Sequence, residues 1–258
     1  MVICFKIRFI LKNLYPSRIE GAWYVCFDTG VEPEYDNCNV LSFGVNKDPS
    51  FDIEMNTVYK CQVESFDPFI IDNTFRKRGF TDKLTVTMND KWRFHKMGIV
   101  GNDTSETKKK HKIGWMATLE EVLAYTNLNE KVIDVFKIDT EGSEIGVLES
   151  LNVDYACKYF KQFLIETHPY YSSNVRENAY INLRLLRKLE ACFLLFHRNS
   201  KFIKGSGLGA EGLNEFQSRN FKIYLSYYRN ELDLMGYLMS IGELFFINKN
   251  FLKEDSNI

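Results

Sequence analysis

The chain has 258 residues, of which 45% are hydrophobic and 26% are charged, as in a globular protein that buries a substantial core. Its formal net charge of −1 argues against general nucleic-acid binding, because proteins of that class usually carry a basic surface. No apolar run reaches the length of a transmembrane segment. We therefore expect a soluble protein, with the cytoplasm slightly favoured and the secretory pathway possible if the N-terminus is truncated.

The N-terminal segment, residues 1–14, is apolar but contains Lys6, Arg8 and Lys12. It therefore lacks the uninterrupted apolar centre of a signal peptide. An amphipathic first helix is favoured over the remnant of a longer precursor.

The six cysteines are widely spaced and include no CxxC pair, so zinc binding is not expected and no metal site is predicted. Free buried thiols are the default expectation. A disulfide between Cys38 and Cys61 is conceivable, because each residue lies just before a predicted strand and the two strands could be neighbours. The sequon Asn102-Asp103-Thr104 matters only if the chain is secreted.

Short apolar runs alternate with helical segments from Asn39 onward, which is typical of βαβ units and a mostly parallel sheet. The predicted strands are residues 39–43, 61–66, 83–88, 94–100, 132–138, 163–166, 192–197 and 243–248, the last two as an antiparallel pair. The predicted helices are residues 118–128, 145–151 and 180–189, and another begins at Asp48-Pro49. We expect one α/β domain of residues 39–258, with residues 1–38 as an extension that packs on it.

Carboxylates cluster directly after the predicted strand 132–138. Asp139, Glu141 and Glu144 lie within six consecutive positions, at the strand end where open α/β sheets bind ligands. Because such close carboxylates repel one another, the cluster needs a role. Either it caps the following helix or it contacts a ligand, and composition leaves both alternatives open.

Two residues indicate a crevice for a nucleoside. Gly44 stands where the first strand turns sharply, which permits either a ligand to approach closely or only a tight turn. Asp67 follows 23 residues later at the tip of the next strand, a position suited to bonding ribose hydroxyls. No GxGxxG follows Gly44, and Asp48 would repel a phosphate at the helix start. A cofactor with ribose but no pyrophosphate is therefore favoured over NAD or FAD.

Glu166 and His168 end the predicted strand that follows Asp139 in the sheet. Both could act as general acid or base groups or orient an acceptor. For His168, a structural role before the turn at Pro169 is slightly favoured. His95 and His197 show no ligand-like spacing.

These motifs together resemble the FkbM-like, methyltransferase-like domain proteins. The resemblance covers roughly residues 21–170 and is carried mainly by LSFGVNKDPSFD at 41–52, CQVESFDP at 61–68, FKIDTEGSEIGVLESL at 136–151 and FLIETH at 163–168. It implies a Rossmann-like three-layer α/β sandwich, with a mostly parallel seven-stranded sheet and an antiparallel C-terminal hairpin.

The resemblance also implies an S-adenosylmethionine-dependent enzyme that transfers a methyl group to oxygen. The acceptor, whether a small molecule, a glycan or a protein, is not identified. The residues expected at the cofactor are Ser42, Phe43, Gly44, Asn46, Asp67, Asn102, Asp103 and Glu141. Within this set, Asp67 would hold the ribose, and Asn102 or Asp103 would lie near the adenine. The candidate catalytic residues are Asp139, Glu166 and His168.

One departure from the family pattern keeps an alternative open. Many methyltransferases have an acidic residue at the end of the first strand and a GxG turn, whereas this chain has Ser42 and the single Gly44. The alternative is a non-catalytic methyltransferase-like module with a structural or interaction role. A nucleotide-sugar or dinucleotide enzyme is disfavoured, because the phosphate-binding loop is missing.

Overall fold

The computed structural model describes residues 4, 6–10, 23–46, 48–69, 84–102, 115–168, 181, 184–201 and 241–253. The strands are β1 (Ile7–Ile10), β2 (Trp23–Cys26), β3 (Asn39–Phe43), β4 (Gln62–Phe66), β5 (Thr85–Asn89), β6 (Trp92–His95), β7 (Met97–Ile99), β8 (Trp115–Ala117), β9 (Ile133–Ile138), β10 (Phe160–Thr167), β11 (Phe193–Lys201) and β12 (Ile241–Asn248). The helices are α1 (Ser50–Thr57), α2 (Leu119–Thr126), α3 (Glu144–Ser150) and α4 (Val153–Tyr159), and residues 184–189 are also helical.

The main sheet has the strand order β11-β12-β10-β9-β3-β4-β6-β5. The five strands from β10 to β6 are parallel, whereas β12 is antiparallel to both β10 and β11, and β5 is antiparallel to β6. The α/β class is confirmed. Among the described residues, the main sheet has eight strands, including Thr85–Asn89 at the outer edge of β6, so the seven-stranded sheet that the resemblance implies is not confirmed.

The strand order reverses direction between β3 and β9. From β3 the chain proceeds outward through β4 to β6, and it later continues on the other side through β9 to β10. Phe43 at the end of β3 pairs in register with Ile138 at the end of β9. Open α/β sheets bind ligands outside the carboxyl ends of the strands at such a reversal. The residues that follow Phe43 and Ile138 therefore lie at the expected position of a ligand crevice.

Both faces of the main sheet are covered. On one face, α2, α3, α4 and the helical residues 184–189 pack against β9 and β10, and this core includes Phe136, Ile138 and Leu148. On the other face, α1 and β2 pack against β3, β4 and β9, and this core includes Trp23 and Phe51. Burial on both faces explains why strand β9 reads as a near-continuous apolar run.

Local signals set the helix starts. Thr118 and Glu121 form a reciprocal capping box at the start of α2. At α1, the cap position falls on Pro49 instead of the predicted Asp48, and the Asp48 carboxylate accepts a bond from the Ser50 amide over 3.0 Å. Among the described residues, no helix combines the length and apolar character needed to span a membrane.

The expected N-terminal helix is wrong for the part of the segment that the structure describes. Ile7–Ile10 forms strand β1, which pairs antiparallel with β2. The pairing with β2 supplies backbone hydrogen bonds to the segment, and the disulfide from Cys4 to Cys26 links the segment covalently to β2. These long-range partners override the local helical pattern.

The default expectation of free thiols is also wrong. The conceivable bridge between Cys38 and Cys61 is present, and its residues lie beside the starts of the parallel neighbours β3 and β4. Two further disulfides join Cys4 to Cys26 and Cys157 to Cys192. No local spacing signals these two bridges, because the fold alone brings their partners together.

Candidate functional site

The turn after β3 is built against the end of β9. Gly44 has φ of 79°, and a Cβ atom added to it would lie 1.5 Å from the carbonyl oxygen of Asp139. The Asp139 amide also donates to the Phe43 carbonyl over 3.1 Å. The backbone that comes close to Gly44 is therefore that of Asp139, and the glycine is required for the two strand ends to meet.

Lys137 stabilises this turn through hydrogen bonds to its backbone carbonyls. Its side chain is 4% exposed, and its Nζ donates to the carbonyl oxygens of Phe43 at 3.3 Å and Gly44 at 3.2 Å. The same ammonium group lies 4.6 Å from the ring centroid of Trp23. Lys137 was not among the residues expected at this site. A lysine inside a strand that is otherwise apolar was the available signal, since a buried lysine needs partners.

The remaining residues of the first loop differ in exposure. Ser42 and Phe43 are fully buried, and the Phe43 ring stacks on Phe66 with centroids 4.6 Å apart. Asn46 is exposed and has φ of 49°. The side chains of Ser42 and Phe43 thus lie in the buried interior, whereas Asn46 is exposed to solvent.

Asp67 joins the loops that follow β3 and β4. One carboxylate oxygen accepts from the Asn46 amide at 2.7 Å and the other from the Phe69 amide at 2.8 Å. Burial raises the pKa of Asp67, which the backbone hydrogen bonds and Lys137 oppose and the charge of Asp139 reinforces. The carboxylates of Asp67 and Asp139 therefore interact electrostatically at the carboxyl edge of the sheet.

The segment from Asp139 to Glu144, which we term the carboxylate turn, leads from β9 into α3. Glu141 and Gly142 have φ values of 56° and 116°. Glu144 is 1% exposed and accepts from the amides of Thr140 at 2.6 Å and Gly142 at 2.8 Å. Glu144 thus supports the turn and the helix start, which is the capping alternative from the sequence.

The His168 ring contacts the carboxylate turn. Its Nδ1 is 3.1 Å from Glu144 Oε1. Its Nε2 is 3.8 Å from Asp139, 3.7 Å from Glu141 and 3.8 Å from Glu166, measured to one carboxylate oxygen of each. The structure therefore brings together all three candidate catalytic residues and Glu141.

Charge pairing shifts the pKa values of His168 and Glu144 in opposite directions. Burial by itself lowers the pKa of His168, but Glu144, Asp139 and Glu166 outweigh it and the pKa is raised. Burial by itself raises the pKa of Glu144, but the His168 contact and the backbone hydrogen bonds outweigh it and the pKa is lowered. The pair is therefore favoured as imidazolium and carboxylate.

The same cluster offers donor atoms to a cation. One donor atom each from Asp139, Glu141 and His168 lie within 4.8 Å of one another, so the group could hold a metal ion. Carboxylate oxygens and an imidazole nitrogen are common ligands of divalent cations. No spacing in the sequence signals this grouping, because its residues come from two separate strand ends.

Asn102 and Asp103 were expected near an adenine. Asn102 is exposed and follows β7, which pairs with β8 in a separate two-stranded sheet. Just before it, Gly101 lies against α3, where an added Cβ atom would be 2.3 Å from the Gly146 carbonyl oxygen. The chain therefore reaches the start of α3, beside the carboxylate turn, before it emerges at Asn102. Asp103 lies outside the described residues.

Comparison with known protein families agrees with this arrangement. A family model described as a methyltransferase domain matches residues 13–207, which include β3, β4, β9, β10 and the whole candidate site. A comparison with curated proteins finds no match. The family match spans more than half of the chain, and on that basis the chain belongs to the methyltransferase domain family.

Proposed function

We propose that the protein is an S-adenosylmethionine-dependent methyltransferase that transfers a methyl group to an oxygen acceptor. One observation carries the proposal: the reversal of strand order brings the loop of Asn46, the carboxylate of Asp67 and the carboxylate turn to one edge of the sheet. The family match supports methyl transfer in general. The five parallel strands and their reversal support a Rossmann-like sheet, and the sequence motifs support an FkbM-like enzyme.

The chemistry of the first two loops fits the ribose of this cofactor. Asp67 accepts one bond at each oxygen. An ionised carboxylate has about four lone-pair sites, so it retains capacity for hydroxyl groups. Lys137 supports the adjoining turn through the carbonyls of Phe43 and Gly44. We assign ribose binding to Asp67 and contact with the cofactor to the loop at Asn46.

The bound cofactor would supply an electrophilic methyl group on a sulfonium. The protein would have to exclude water and position an acceptor, from which most of the acceleration in such a transfer can come. Asp139, Glu141 and Glu166 place carboxylate oxygens around one imidazole nitrogen. The negative charge of these carboxylates would favour binding of the cationic sulfonium. A neutral cofactor product would lose that attraction.

His168 is our candidate for moving the acceptor proton. Its Nδ1 contacts Glu144, which orients the ring so that Nε2 faces Asp139 and Glu166. Glu144, Asp139 and Glu166 raise the pKa of His168, which makes its neutral imidazole a stronger proton acceptor. Asp139, partly exposed at the end of β9, would share this role at the crevice.

Calorimetric titration with S-adenosylhomocysteine tests the cofactor assignment. We expect saturable binding, weakened about tenfold or more by Asp67→Asn, since a hydrogen bond to a charged group contributes about 1.5–3 kcal/mol. Asp36→Asn is the matched control, because Asp36 pairs with Lys91 on the exposed surface. Circular dichroism would verify that each variant is folded. Failure of the folded wild-type protein to bind would overturn the proposal.

The acceptor class requires a separate experiment. Transfer of a radiolabelled methyl group should be screened over sugars, hydroxylated small molecules and proteins. We expect label to appear in an ether or ester of one class. Label confined to nitrogen or carbon would contradict the oxygen acceptor and leave the cofactor assignment intact.

A non-catalytic module is the second candidate. The observation that favours it is that contacts within the chain already use both oxygens of Asp67 and both oxygens of Glu144, while Gly44 is required by Asp139. Each of these residues thus has a structural reason to be present. Under this alternative, the folded protein would not bind the cofactor, or would bind it without turnover.

A further inference from the structure

The cysteines indicate where this chain folds. All six are paired, as Cys4–Cys26, Cys38–Cys61 and Cys157–Cys192. The first pair attaches the N-terminal segment to β2, the second joins the starts of two neighbouring parallel strands, and the third joins α4 to the chain entering β11. Disulfides that join separate elements of a fold form and persist in oxidising compartments and are rare in the cytosol.

Five of the six cysteines belong to the packed interior, and Cys157 is partly buried. Cys26 and Cys61 are fully buried, while Cys4, Cys38 and Cys192 are at most 4% exposed. Cys26 also exchanges two backbone hydrogen bonds with the side chain of Gln162 in β10, each 2.8 Å long. The bridge from Cys4 thus connects the N-terminal segment to the main sheet. Buried bridges of this kind form most readily as the chain folds, which favours an oxidising folding compartment.

Asn102, the first residue of the sequon Asn102-Asp103-Thr104, has a defined place in this fold, whereas Asp103 and Thr104 lie outside the described residues. Asn102 is exposed, and the chain before it is held where Gly101 lies against Gly146 of α3. An asparagine in a sequon needs an exposed position to carry a bulky, hydrated sugar, and the middle residue must not be proline. Asp103 meets the second condition.

We propose that the chain folds in the secretory pathway and carries an N-linked glycan on Asn102. The modification joins the Asn102 Nδ2 atom to the sugar of a lipid-linked oligosaccharide donor, with loss of the amide proton and departure of the lipid diphosphate. This inference does not depend on methyl transfer. It differs from the cytoplasmic preference of the sequence analysis, because three disulfides replace the thiols that were expected there.

The proposal gives Asn102 a different role from the adenine contact that the family resemblance implies. Two substitutions separate these roles. Thr104→Ala destroys the sequon but retains Asn102, whereas Asn102→Gln removes both the glycan acceptor and the original amide. Thr104→Ser preserves the sequon and is the matched control.

The test is expression of the full chain behind a cleavable secretory leader in mammalian cells, with parallel expression in the cytosol. Peptide mass spectrometry after peptide-N-glycosidase treatment would locate the glycan, and non-reducing peptide maps would locate the disulfides. We expect the secreted wild-type and Thr104→Ser proteins to carry one glycan, at Asn102, and three disulfides. Thr104→Ala and Asn102→Gln should lose the mobility shift on enzyme treatment.

Two results would overturn the proposal. One is a secreted, folded protein with all three disulfides and an unmodified Asn102. The other is a chain that fails to fold in the secretory pathway but folds in the cytosol with six alkylatable thiols. Because the readouts are a glycan and disulfides, the outcome is independent of whether the protein binds or turns over S-adenosylmethionine.

Discussion

Two buried histidines, His95 and His168, each contact a buried glutamate but differ in the groups that face their second ring nitrogen. They are 1% and 4% exposed, and each contacts a buried glutamate, at 2.7 Å for Glu64 and 3.1 Å for Glu144. Each also lies at the carboxyl end of a strand in the parallel part of the sheet. Their contacts at the other ring nitrogen differ.

His95 belongs to a closed network, by which we mean that both ring nitrogens have hydrogen-bond partners within the chain. Its Nδ1 lies 2.9 Å from the Thr85 hydroxyl, and Glu64 also accepts from Arg93 at 2.9 Å. The ring stacks on Phe66 with centroids 4.5 Å apart. This arrangement satisfies both nitrogens and stabilises the pairing of β4, β5 and β6, so we interpret His95 as structural.

His168 has its second nitrogen directed at a group of carboxylates that solvent can reach. The side chain of Asp139 is 25% exposed and that of Glu141 is 66% exposed. The separations of 3.7–3.8 Å from Nε2 exceed ordinary hydrogen-bond lengths. The contacts of the second ring nitrogen, and its position relative to the strand reversal, therefore distinguish the structural His95 from the candidate catalytic His168.

The largest expected effect separates the two histidines by activity. His168→Gln should lower methyl-transfer turnover by about 10²–10⁴-fold, the usual contribution of a general acid or base. His95→Gln should leave the turnover of the folded molecules nearly unchanged. The measurement is kcat with the acceptor from the radiolabel screen, at a temperature where both variants are folded. Equal losses in the two variants would remove the functional distinction.

The next effect concerns stability and involves Glu64. Glu64→Gln should lower the free energy of unfolding by about 1.5–3 kcal/mol, because Arg93 and His95 lose the charged acceptor of their hydrogen bonds. Urea denaturation measures the change. Glu141→Gln, at an exposed position, should stay within about 0.5 kcal/mol of wild type. A loss at Glu141 as large as that at Glu64 would contradict the assignment of the closed network as structural.

The His168–Glu144 pair should give stability that depends on pH. The raised pKa of His168 stabilises the fold fully below 6.5, and this contribution is lost as the pH rises through the folded value. The lowered pKa of Glu144 stabilises it above 4.5, and this contribution is lost as the pH falls through the folded value. Both contributions are therefore present between pH 4.5 and 6.5.

His168→Gln should accordingly lower the free energy of unfolding by about 1.5–3 kcal/mol in that window, the value of a hydrogen bond between charged groups. The difference from wild type should shrink as the pH rises above the folded pKa of His168. Denaturant titrations at a series of pH values measure it. A difference that is constant across the series would show that His168 is not charged in its contact with Glu144.

The smallest effect lies at the outer end of the His95 network. The Tyr125 hydroxyl is 2.5 Å from that of Thr85, which also contacts His95. Tyr125→Phe should lower stability by about 0.5–1 kcal/mol, as expected for one partly exposed hydrogen bond. Thermal unfolding would detect this change. Tyr35→Phe, on a ring that is 67% exposed, is the control, and an equal shift in both variants would exclude Tyr125 from the network.

Much of the fold follows from local patterns. The predicted strand 39–43 coincides with β3, and the runs at 61–66 and 132–138 each differ from β4 and β9 by one residue. Thr118 and Glu121 mark the start of α2 because their capping box is a contact between residues three apart. These elements were predictable, since hydrophobic period and capping depend on residues close in sequence.

The candidate site was predictable only as a set of strand ends. The sequence places Asp67, Asp139 and His168 after three of the predicted strands, but it does not determine which side chains meet. Lys137 bonds to the Phe43 carbonyl across 94 positions, and His168 meets Glu144 across 24. Such contacts depend on which strands are neighbours and on their register.

The sequence by itself determined the α/β class, the strand ends at which the candidate site lies and the family resemblance, because these depend on short apolar runs and contiguous motifs. The tertiary structure decided the disulfide pairing, the requirement for Gly44 beside Asp139 and the different surroundings of His95 and His168. The physical reason is that burial, pKa and hydrogen-bond partners belong to the packed neighbourhood of a side chain. That neighbourhood is assembled from segments far apart in the chain.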